Sequence, residues 1–235
     1  MIRYVGGKTR HAEAINQVLM ANSNGCTAYY EPFFGGGSMA KHTWKMGLVR
    51  MASDSNKHLI NLFQAIQGGW LPPERVSEYD YGQAMHCCPC PLSTYIGFAC
   101  SYGGKWFGGF ARDATGRRDL SYESYLRVCR DAPYLTGIHF EHRDYNDLAL
   151  SRGDLVYCDP PYAATLGYGQ GFDHVHFWDS VRRWSMAGAT VLVSEYAAPA
   201  DFESIWAKGT SVSIHNQSTG NRKIEHLFRH RERVE

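Results

Sequence analysis

The sequence has no long hydrophobic run. None of its 235 residues belongs to a stretch of eighteen or more apolar residues, which excludes a membrane-spanning helix. Residues 1–25 also lack the apolar centre of a signal peptide. We therefore expect an intracellular protein that does not enter a membrane.

The cysteines lack the spacing of a disulfide framework or a zinc site. There are seven, an odd number, and they are not spaced as in small disulfide-rich domains, which predicts reduced thiols. The crowded stretch His86-Cys87-Cys88-Pro89-Cys90 lacks two separated C-x-x-C pairs. Asp173-His174-Val175-His176 has no obvious third ligand and reads as a helix start. We predict no metal site.

Charge of one sign does not dominate the chain, but it is unevenly placed. The 24 lysines and arginines against 23 acids give a net charge of +1. Between Ser101 and Arg130, however, six cations face three acids, a local excess of +3, and glycines and aromatic residues alternate with them. Such a segment suits a phosphate backbone and unstacked bases. An ordinary loop-rich subdomain is the alternative.

A phosphate-binding P-loop is also absent. Gly7-Lys8-Thr9 resembles the end of that motif, but the glycine required five residues earlier is replaced by Ile2. What remains is a glycine turn that leads Lys8 into a helix predicted over about residues 10–21.

The first half of the chain alternates strand and helix. Thr27 to Ala40 reads as a strand, a glycine loop and a helix, and a second strand ends at Asp54. Gly35-x-Gly37-x-x-Ala40 followed by this acid fits a dinucleotide fingerprint, with the carboxylate on a ribose. A helix is predicted over 56–67. The alternative is a glycine-rich turn and a solvated acid.

The alternation lapses over residues 68–136 and then resumes. A strand is predicted over 137–145, a buried strand over 155–158, a helix over 177–186 and a buried strand over 189–195. Residues 163–172 read as a mobile loop. Two further strands, 211–214 and 223–228, are predicted to form a C-terminal hairpin.

The buried strand Leu155–Cys158 ends at Asp159-Pro160-Pro161-Tyr162. Prolines cannot continue a β-ladder and they stiffen the residue before them, so this turn presents a carboxylate, bare carbonyls and an aromatic ring together. These groups can hold an exocyclic amine and stack on a planar base. A proline-stiffened surface turn is the alternative.

Four motifs in this order make the chain similar to the α-group of adenine-N6 DNA methyltransferases, the Dam-like class. The resemblance covers almost the whole chain. It is carried by these four stretches: Tyr4-Val5-Gly6-Gly7-Lys8, Glu31-Pro32-Phe33-Phe34-Gly35-Gly36-Gly37-Ser38, Ser53-Asp54-Ser55-Asn56 and Asp159-Pro160-Pro161-Tyr162. Residues 107–109 and the cysteine cluster depart from the better-known Dam recognition segment, so a GATC target does not carry over.

The resemblance implies an α/β fold: a Rossmann-like, mostly parallel sheet with a C-terminal antiparallel hairpin. It implies a catalytic domain of residues 1–67 and 137–235, with a target-recognition subdomain inserted at 68–136. The cofactor would be S-adenosylmethionine and the partner double-stranded DNA. We expect a monomer in the cytoplasm of a bacterium or a phage-infected host.

The resemblance also assigns candidate roles to individual residues. The predicted catalytic residues are Asp159, Pro160, Pro161 and Tyr162. The predicted cofactor-binding residues are Tyr4, Gly7, Lys8, Glu31, Pro32, Phe33, Gly35, Gly36, Gly37, Ser38, Asp54, Tyr145 and Asp159. The predicted DNA-binding residues, drawn from the basic segment, are Lys105, Trp106, Arg112, Arg117 and Arg118.

The implied reaction is a direct attack of adenine N6 on the cofactor's methyl group, with the base flipped out of the duplex. Asp159 and the Pro160 carbonyl would accept the two amine hydrogens, and Tyr162 would stack on the base. A cytosine-N4 or RNA-base methyltransferase stays open as an alternative on the same fold. A nicotinamide-dependent dehydrogenase would leave the Asp159–Tyr162 turn unused, and a catalytically silent DNA-binding module would leave both sites unused.

Overall fold

The structure, a computed structural model, describes residues 1–162, 171–210 and 223–231. Within these ranges seven strands form a single sheet in the order β3-β2-β1-β4-β5-β7-β6. The strands are β1 Ala28–Glu31, β2 Val49–Asp54, β3 Ile138–His142, β4 Asp154–Cys158, β5 Thr190–Glu195, β6 Phe202–Thr210 and β7 Lys223–His230. The helices are α1 Ala12–Ala21, α2 Ala40–Thr43, α3 Lys57–Gln67, α4 Glu78–Met85, α5 Pro91–Ala99, α6 Leu120–Asp131 and α7 His174–Met186.

The first five strands run parallel, and β7 runs in the opposite direction to all the other strands. β1 pairs with β2 and β4, β2 with β3, and β4 with β5, all parallel, whereas β7 is antiparallel to both β5 and β6. The strand order reverses between β1 and β4. In open α/β sheets this reversal opens a crevice at the carboxyl ends of the strands, where ligands bind.

The central strands are buried on both faces because helices cover both. Tyr157 of β4 faces Ile15 and Leu19 of α1, while its neighbours Val156 and Cys158 face Phe177 and Val181 of α7. Successive strand residues point to opposite faces, so a continuous apolar run is what such a strand requires. The run Leu155–Cys158 has this composition, and all four residues are buried.

The helices of residues 68–136 share the core of the sheet. Tyr95 and Phe98 of α5 and Val128 of α6 belong to the same buried cluster as Phe63 of α3 and Phe140 of β3. The division into a catalytic domain and an inserted recognition subdomain stays a prediction.

The predicted fold class is confirmed, and the predicted hairpin needs a correction. β7 has an antiparallel partner, but that partner is β6 at Phe202–Thr210, where no strand was expected. A register shift between Ser204 and Trp206 breaks the alternation that reveals a strand. The predicted strand 211–214 lies outside the described residues, as does most of the predicted loop 163–172.

No helix among the described residues is both long and apolar enough to cross a membrane.

Candidate active site

A cleft of about 730 Å³ lies at the carboxyl ends of the parallel strands. It opens where the strand order reverses between β1 and β4, so its walls come from the segments that follow each strand. Those segments supply Phe33 after β1, Asp54 at the end of β2, Tyr145 after β3, Asp159 after β4 and Tyr196 after β5. The N-terminal segment and β7 add Lys8 and Glu225.

Asp159 forms the charged centre of the cleft. Its Oδ1 lies 2.9 Å from Lys8 Nζ, and Lys8 Nζ lies 3.4 Å from Glu225 Oε1. The Asp159 side chain is 19% exposed, whereas those of Lys8 and Glu225 are nearly fully buried. This group therefore holds two carboxylates and one ammonium, and Asp159 is the most exposed of its three side chains.

The surroundings of Asp159 raise the pKa of its carboxyl group toward the neutral range. Burial raises the pKa of Asp159 to about 6, although the neighbouring Lys8 ammonium opposes the rise. Burial disfavours the Lys8 ammonium, but Asp159 and Glu225 outweigh this effect and raise the pKa of Lys8. Lys8 therefore stays charged and keeps its attraction for the Asp159 carboxylate.

Tyr162 packs against the same charges. Its hydroxyl donates to Glu225 Oε1 at 3.1 Å, Lys8 Nζ lies 4.3 Å from its ring centroid, and Tyr196 meets it edge to face at 4.8 Å. Tyr162 is 8% exposed. Lys8 covers one face of the ring, and stacking of a base on Tyr162 stays a prediction.

The glycine loop is shaped by the N-terminal segment of the chain. A Cβ at Gly36 would lie 2.7 Å from Tyr4 Cβ and 3.0 Å from the Ile2 carbonyl oxygen, and one at Gly37 would lie 2.9 Å from Met1 Cγ. Gly35 and Gly37 also have positive φ angles, 48° and 70°. Glycine is required here because a side chain would collide with the protein's own N-terminal segment, whether or not a ligand is bound.

Asp54 fastens this loop to the end of β2. Its Oδ2 accepts the Gly35 N–H at 2.8 Å and its Oδ1 accepts the Asn56 N–H at 2.9 Å. Burial raises the pKa of Asp54, while these two donors partly offset the effect. Each carboxylate oxygen has a second lone pair, so Asp54 can still accept hydrogen bonds from ligand hydroxyls.

An aromatic wall lies beside Asp54. The Phe33 ring is 5.3 Å from Tyr145 and 5.9 Å from Phe172, and Tyr145 is 5.6 Å from Phe172. Phe33 and Phe172 are only partly buried and, with Tyr145, line the cleft. Such rings suit the faces of a purine.

The helix after the glycine loop is shorter than the sequence pattern predicts. α2 is a single turn of four residues, and its N-cap Met39 makes no side-chain cap. It therefore offers little of the amide surface expected of a dinucleotide-binding helix. Lys8 N–H instead donates to Ser38 Oγ at 3.1 Å, which joins the N-terminal turn to this loop.

The structure brings most predicted site residues together at the cleft. Its lining includes Tyr4, Gly7, Lys8, Glu31, Pro32, Phe33, Gly35, Gly36, Ser38, Asp54, Tyr145, Asp159, Pro160, Pro161 and Tyr162. Gly37 does not line it, because Gly37 faces Met1 and Phe34. Glu31 is almost fully buried, accepts the Tyr29 hydroxyl at 3.2 Å, and burial raises its pKa well above the ordinary value.

The cleft residues that were not predicted from the sequence include Asp144, Phe172, Tyr196 and Glu225. Asp144 and Tyr196 each follow a parallel strand, which is a signal that could have identified them. Glu225 comes from an antiparallel strand and has no local signal.

The predicted DNA-binding residues lie in two settings. Lys105 lines the mouth of the cleft, and the Trp106 ring packs 4.8 Å from Phe98. Arg112 pairs with Glu78 and Arg118 pairs with Glu123, both on the exposed surface. The Arg117 backbone N–H donates to Asp113, and no carboxylate among the described residues forms an ion pair with its guanidinium.

The cysteine cluster is exposed. Cys87, Cys88 and Cys90 lie between α4 and α5, with Cys90 at the N-cap of α5. No group of three or more His, Cys, Asp or Glu side chains in the described ranges is arranged to hold a metal ion.

The cleft fits S-adenosylmethionine on the chemistry of its lining. Asp54 offers acceptors for ribose hydroxyls, the wall of Phe33, Tyr145 and Phe172 offers faces for adenine, and the carboxylates suit a sulfonium cation. Asp159, on the other side of the strand-order reversal, would face the methyl group.

Residues 4–80, about a third of the chain, match the family model of the D12 class N6 adenine-specific DNA methyltransferases. The match spans the glycine loop and Asp54 and ends before Asp159–Tyr162. It confirms the similarity to a Dam-like adenine methyltransferase over this range. A search of curated proteins gave no match.

Solved structures with similar folds include a candidate methylase from Haemophilus influenzae, with 10% identity over 94% of this chain and 88% of that one and a TM-score of 0.41. A candidate RNA methyltransferase from Pyrococcus horikoshii has 8% identity over 94% and 83%, with a TM-score of 0.43. A candidate methyltransferase from Escherichia coli has 9% identity over 94% and 84%, with a TM-score of 0.40. At these values the likenesses carry no argument about substrate.

Proposed function

We propose that this chain, an S-adenosylmethionine-dependent methyltransferase whose N-terminal third matches the D12 adenine-specific class, methylates adenine N6 in double-stranded DNA. The observation that carries the proposal is the position of Asp159. Its partly exposed carboxylate, held by Lys8, lies in one cleft with Asp54 and the aromatic wall. A methyl acceptor and a nucleoside-containing donor can therefore meet there.

The cofactor-binding half is assigned to the ends of β1, β2 and β3. Asp54 would bind the ribose hydroxyls, and Phe33 and Tyr145 would enclose the adenine ring. When bound, S-adenosylmethionine supplies the methyl group, whose carbon–sulfur bond breaks with its electron pair going to sulfur as N6 attacks. Gly35 and Gly36, fixed by Tyr4 and Asp54, keep the loop close to this position.

Asp159 performs the acceptor chemistry. The adenine amine is a poor nucleophile because its lone pair is delocalised into the ring. The Asp159 carboxylate and the Pro160 carbonyl accept its two hydrogens, which favours a pyramidal nitrogen and stabilises the positive charge that develops on N6. After transfer, N6 carries two hydrogens and the methyl group, and one of these protons leaves to Asp159 or to water.

The pKa of Asp159 suits both steps. At about 6, the group is ionised at neutral pH and accepts the amine hydrogen, yet it is basic enough to take a proton from the methylated nitrogen. The target nitrogen cannot be reached inside a duplex, so the base is flipped into the cleft. There it would stack on Tyr162, the role that the Asp159–Tyr162 motif implies.

The test is to express the protein in a host without DNA methylation and map modified bases by sequencing. We expect N6-methyladenine at one recurring short sequence, and none with Asp159→Ala. N4-methylcytosine would assign the alternative acceptor. Methylation of RNA alone would refute DNA as the substrate.

A further inference from the structure

Glu225 is a charged residue of the cleft that belongs to none of the four sequence motifs. It lies on β7, and its side chain is 5% exposed. It accepts a hydrogen bond from the Tyr162 hydroxyl at 3.1 Å and lies 3.4 Å from Lys8 Nζ. It therefore contacts the two groups that flank the Asp159 carboxylate.

The antiparallel direction of β7 explains how it reaches the site. His226 pairs with Glu195, the last residue of β5, so β7 begins at the edge where the parallel strands end. Glu225 is thereby placed beside the turn that follows β4. A parallel strand at this position would put its first residues at the opposite edge of the sheet.

We propose that Glu225 is a positioning residue of the methyl-transfer site, which holds Lys8 and Tyr162 against Asp159 and tunes that carboxylate through its own charge. The inference rests on the function proposed above, since it assumes that Asp159 accepts the hydrogen of the substrate amine.

Glu225 acts on Asp159 in two ways. It anchors the Lys8 ammonium between two carboxylates, which fixes the contact of Lys8 with Asp159 Oδ1. Its negative charge also raises the pKa of Asp159. This effect adds to the larger effect of burial and opposes the effect of the Lys8 ammonium. A more basic carboxylate is a stronger acceptor for a hydrogen on a nitrogen that becomes positive.

The other titratable groups around Asp159 do not duplicate this contact. Tyr162 also hydrogen-bonds Asp159 through its side chain but carries no charge there, and Tyr157 and Cys158 belong to the buried strand that precedes Asp159. Among the described residues, the groups that interact electrostatically with Asp159 include Lys8, Glu31, Tyr157, Cys158, Tyr162, Tyr196 and Glu225.

The test variant is Glu225→Gln, which keeps the shape and the acceptor for Tyr162 but removes the charge. The control is Glu203→Gln, which neutralises a carboxylate of the same hairpin that pairs with Arg229 away from the cleft. Two quantities are measured: the acid limb of kcat/KM on DNA, and the titration midpoint of Asp159 by carboxyl ¹³C NMR in the free enzyme, assigned with Asp159→Asn.

In Glu225→Gln we expect both the acid limb and the NMR midpoint to move to lower pH, because a charge that opposes ionisation of Asp159 is gone. We expect kcat to fall by about 10- to 100-fold, the range for misplaced reacting groups. Cofactor affinity by calorimetry should stay within about twofold, since Asp54 and the aromatic wall are untouched. Glu203→Gln should match the wild type.

Two results would overturn the proposal: an unmoved Asp159 midpoint, whatever happens to kcat, or the same changes in Glu203→Gln. If Glu225→Gln does not fold, Tyr162→Phe removes the hydroxyl that donates to Glu225 and also hydrogen-bonds Asp159, and it leaves the ring in place. Lower kcat with unchanged cofactor affinity is expected there, and wild-type kcat would refute the role. Failure of the wild type to methylate DNA refutes the proposed function instead, and the NMR midpoint still tests the tuning of Asp159.

Discussion

Lys8 Nζ lies 2.9 Å from Asp159 Oδ1 and connects the N-terminal glycine turn to the turn after β4. The sequence motifs predict Lys8 in the cofactor pocket and Asp159 beside the methyl acceptor. The contact gives Lys8 a second role, because its ammonium opposes protonation of the carboxylate.

We expect Lys8→Met to move the acid limb of kcat/KM to higher pH than in the wild type. Asp159 must be ionised to accept the amine hydrogen, and without the ammonium the carboxylate keeps its proton to higher pH. Methionine is similar in length and carries no charge. The matched control is Lys41→Met at the exposed surface of α2, which should leave the limb in place. The assignment fails if the two variants behave alike.

Asp159→Asn should abolish methylation and yet stabilise the fold at alkaline pH. The pKa of Asp159 is about 6 in the folded state against an ordinary 3.8. Between these values the folded protein binds a proton that the unfolded protein does not, so the wild type gains stability as the pH falls through this window. At 1.36 kcal/mol per unit of pKa shift, the variant should be more stable by about 1–3 kcal/mol at pH 8.

Denaturant unfolding of both proteins at pH 8 and pH 4 checks this prediction. The difference should shrink toward zero at the lower pH, where Asp159 is protonated in the wild type as well. A variant that is less stable than the wild type at pH 8 would contradict it.

Asp54→Asn should weaken S-adenosylmethionine binding by roughly 1.5–3 kcal/mol, the scale of a hydrogen bond to a charged group. The loss has two sources, the ribose contacts and the Gly35 N–H that holds the loop. Calorimetry measures it directly. Asp80→Asn, which alters a carboxylate that caps α4 outside the cleft, is the control and should bind normally. Unchanged affinity in Asp54→Asn would remove it from the site.

Gly36→Ala should destabilise the protein by about 1–3 kcal/mol, because its Cβ would lie 2.7 Å from Tyr4 Cβ and 3.0 Å from a backbone oxygen. Gly82→Ala in α4 is the contrasting substitution. It meets no atom within 4 Å and should stabilise by roughly 0.5–1 kcal/mol through helix propensity. Thermal unfolding compares the two, and equal effects would refute the steric argument.

The parallel half of the sheet could be predicted because its signals are local. Leu155–Cys158 was identified within about a residue, since a strand buried on both faces requires a short apolar run and ends at a polar or proline turn. The predicted end of the second strand at Asp54 also agrees with the structure. Because parallel strands end at the same edge of the sheet, the residues that follow these strands lie close together.

What could not be predicted depends on pairing between distant segments. Glu225 enters the cleft only through the register of β7 on β5. The strand Phe202–Thr210 was missed because its register shift disrupts the alternation. Lys8 was assigned to the cofactor from its motif, and only the folded chain reveals its contact with Asp159.

We expect at least one of Arg112, Arg117 and Arg118 to read a base of the DNA target. Arg112 and Arg118 form exposed ion pairs with Glu78 and Glu123. Such pairs contribute little to stability, so each arginine can exchange its carboxylate partner for a DNA phosphate. Arg117 has no ion pair among the described residues and is the first candidate for base reading.

Single alanine variants of the three arginines, measured for DNA affinity across salt and across single-base target variants, distinguish the two roles. A phosphate contact should weaken all sequences alike and reduce the salt slope by about one. A base contact should cost roughly 1–3 kcal/mol on the target and relax discrimination at one position, because the guanidinium reads a guanine edge through two hydrogen bonds. Arg75→Ala, which removes a pair with Asp119 within residues 68–136, controls for loss of a surface ion pair. If all three arginines caused only a uniform loss, base reading would have to come from other residues of 68–136, and this segment would act as a backbone clamp.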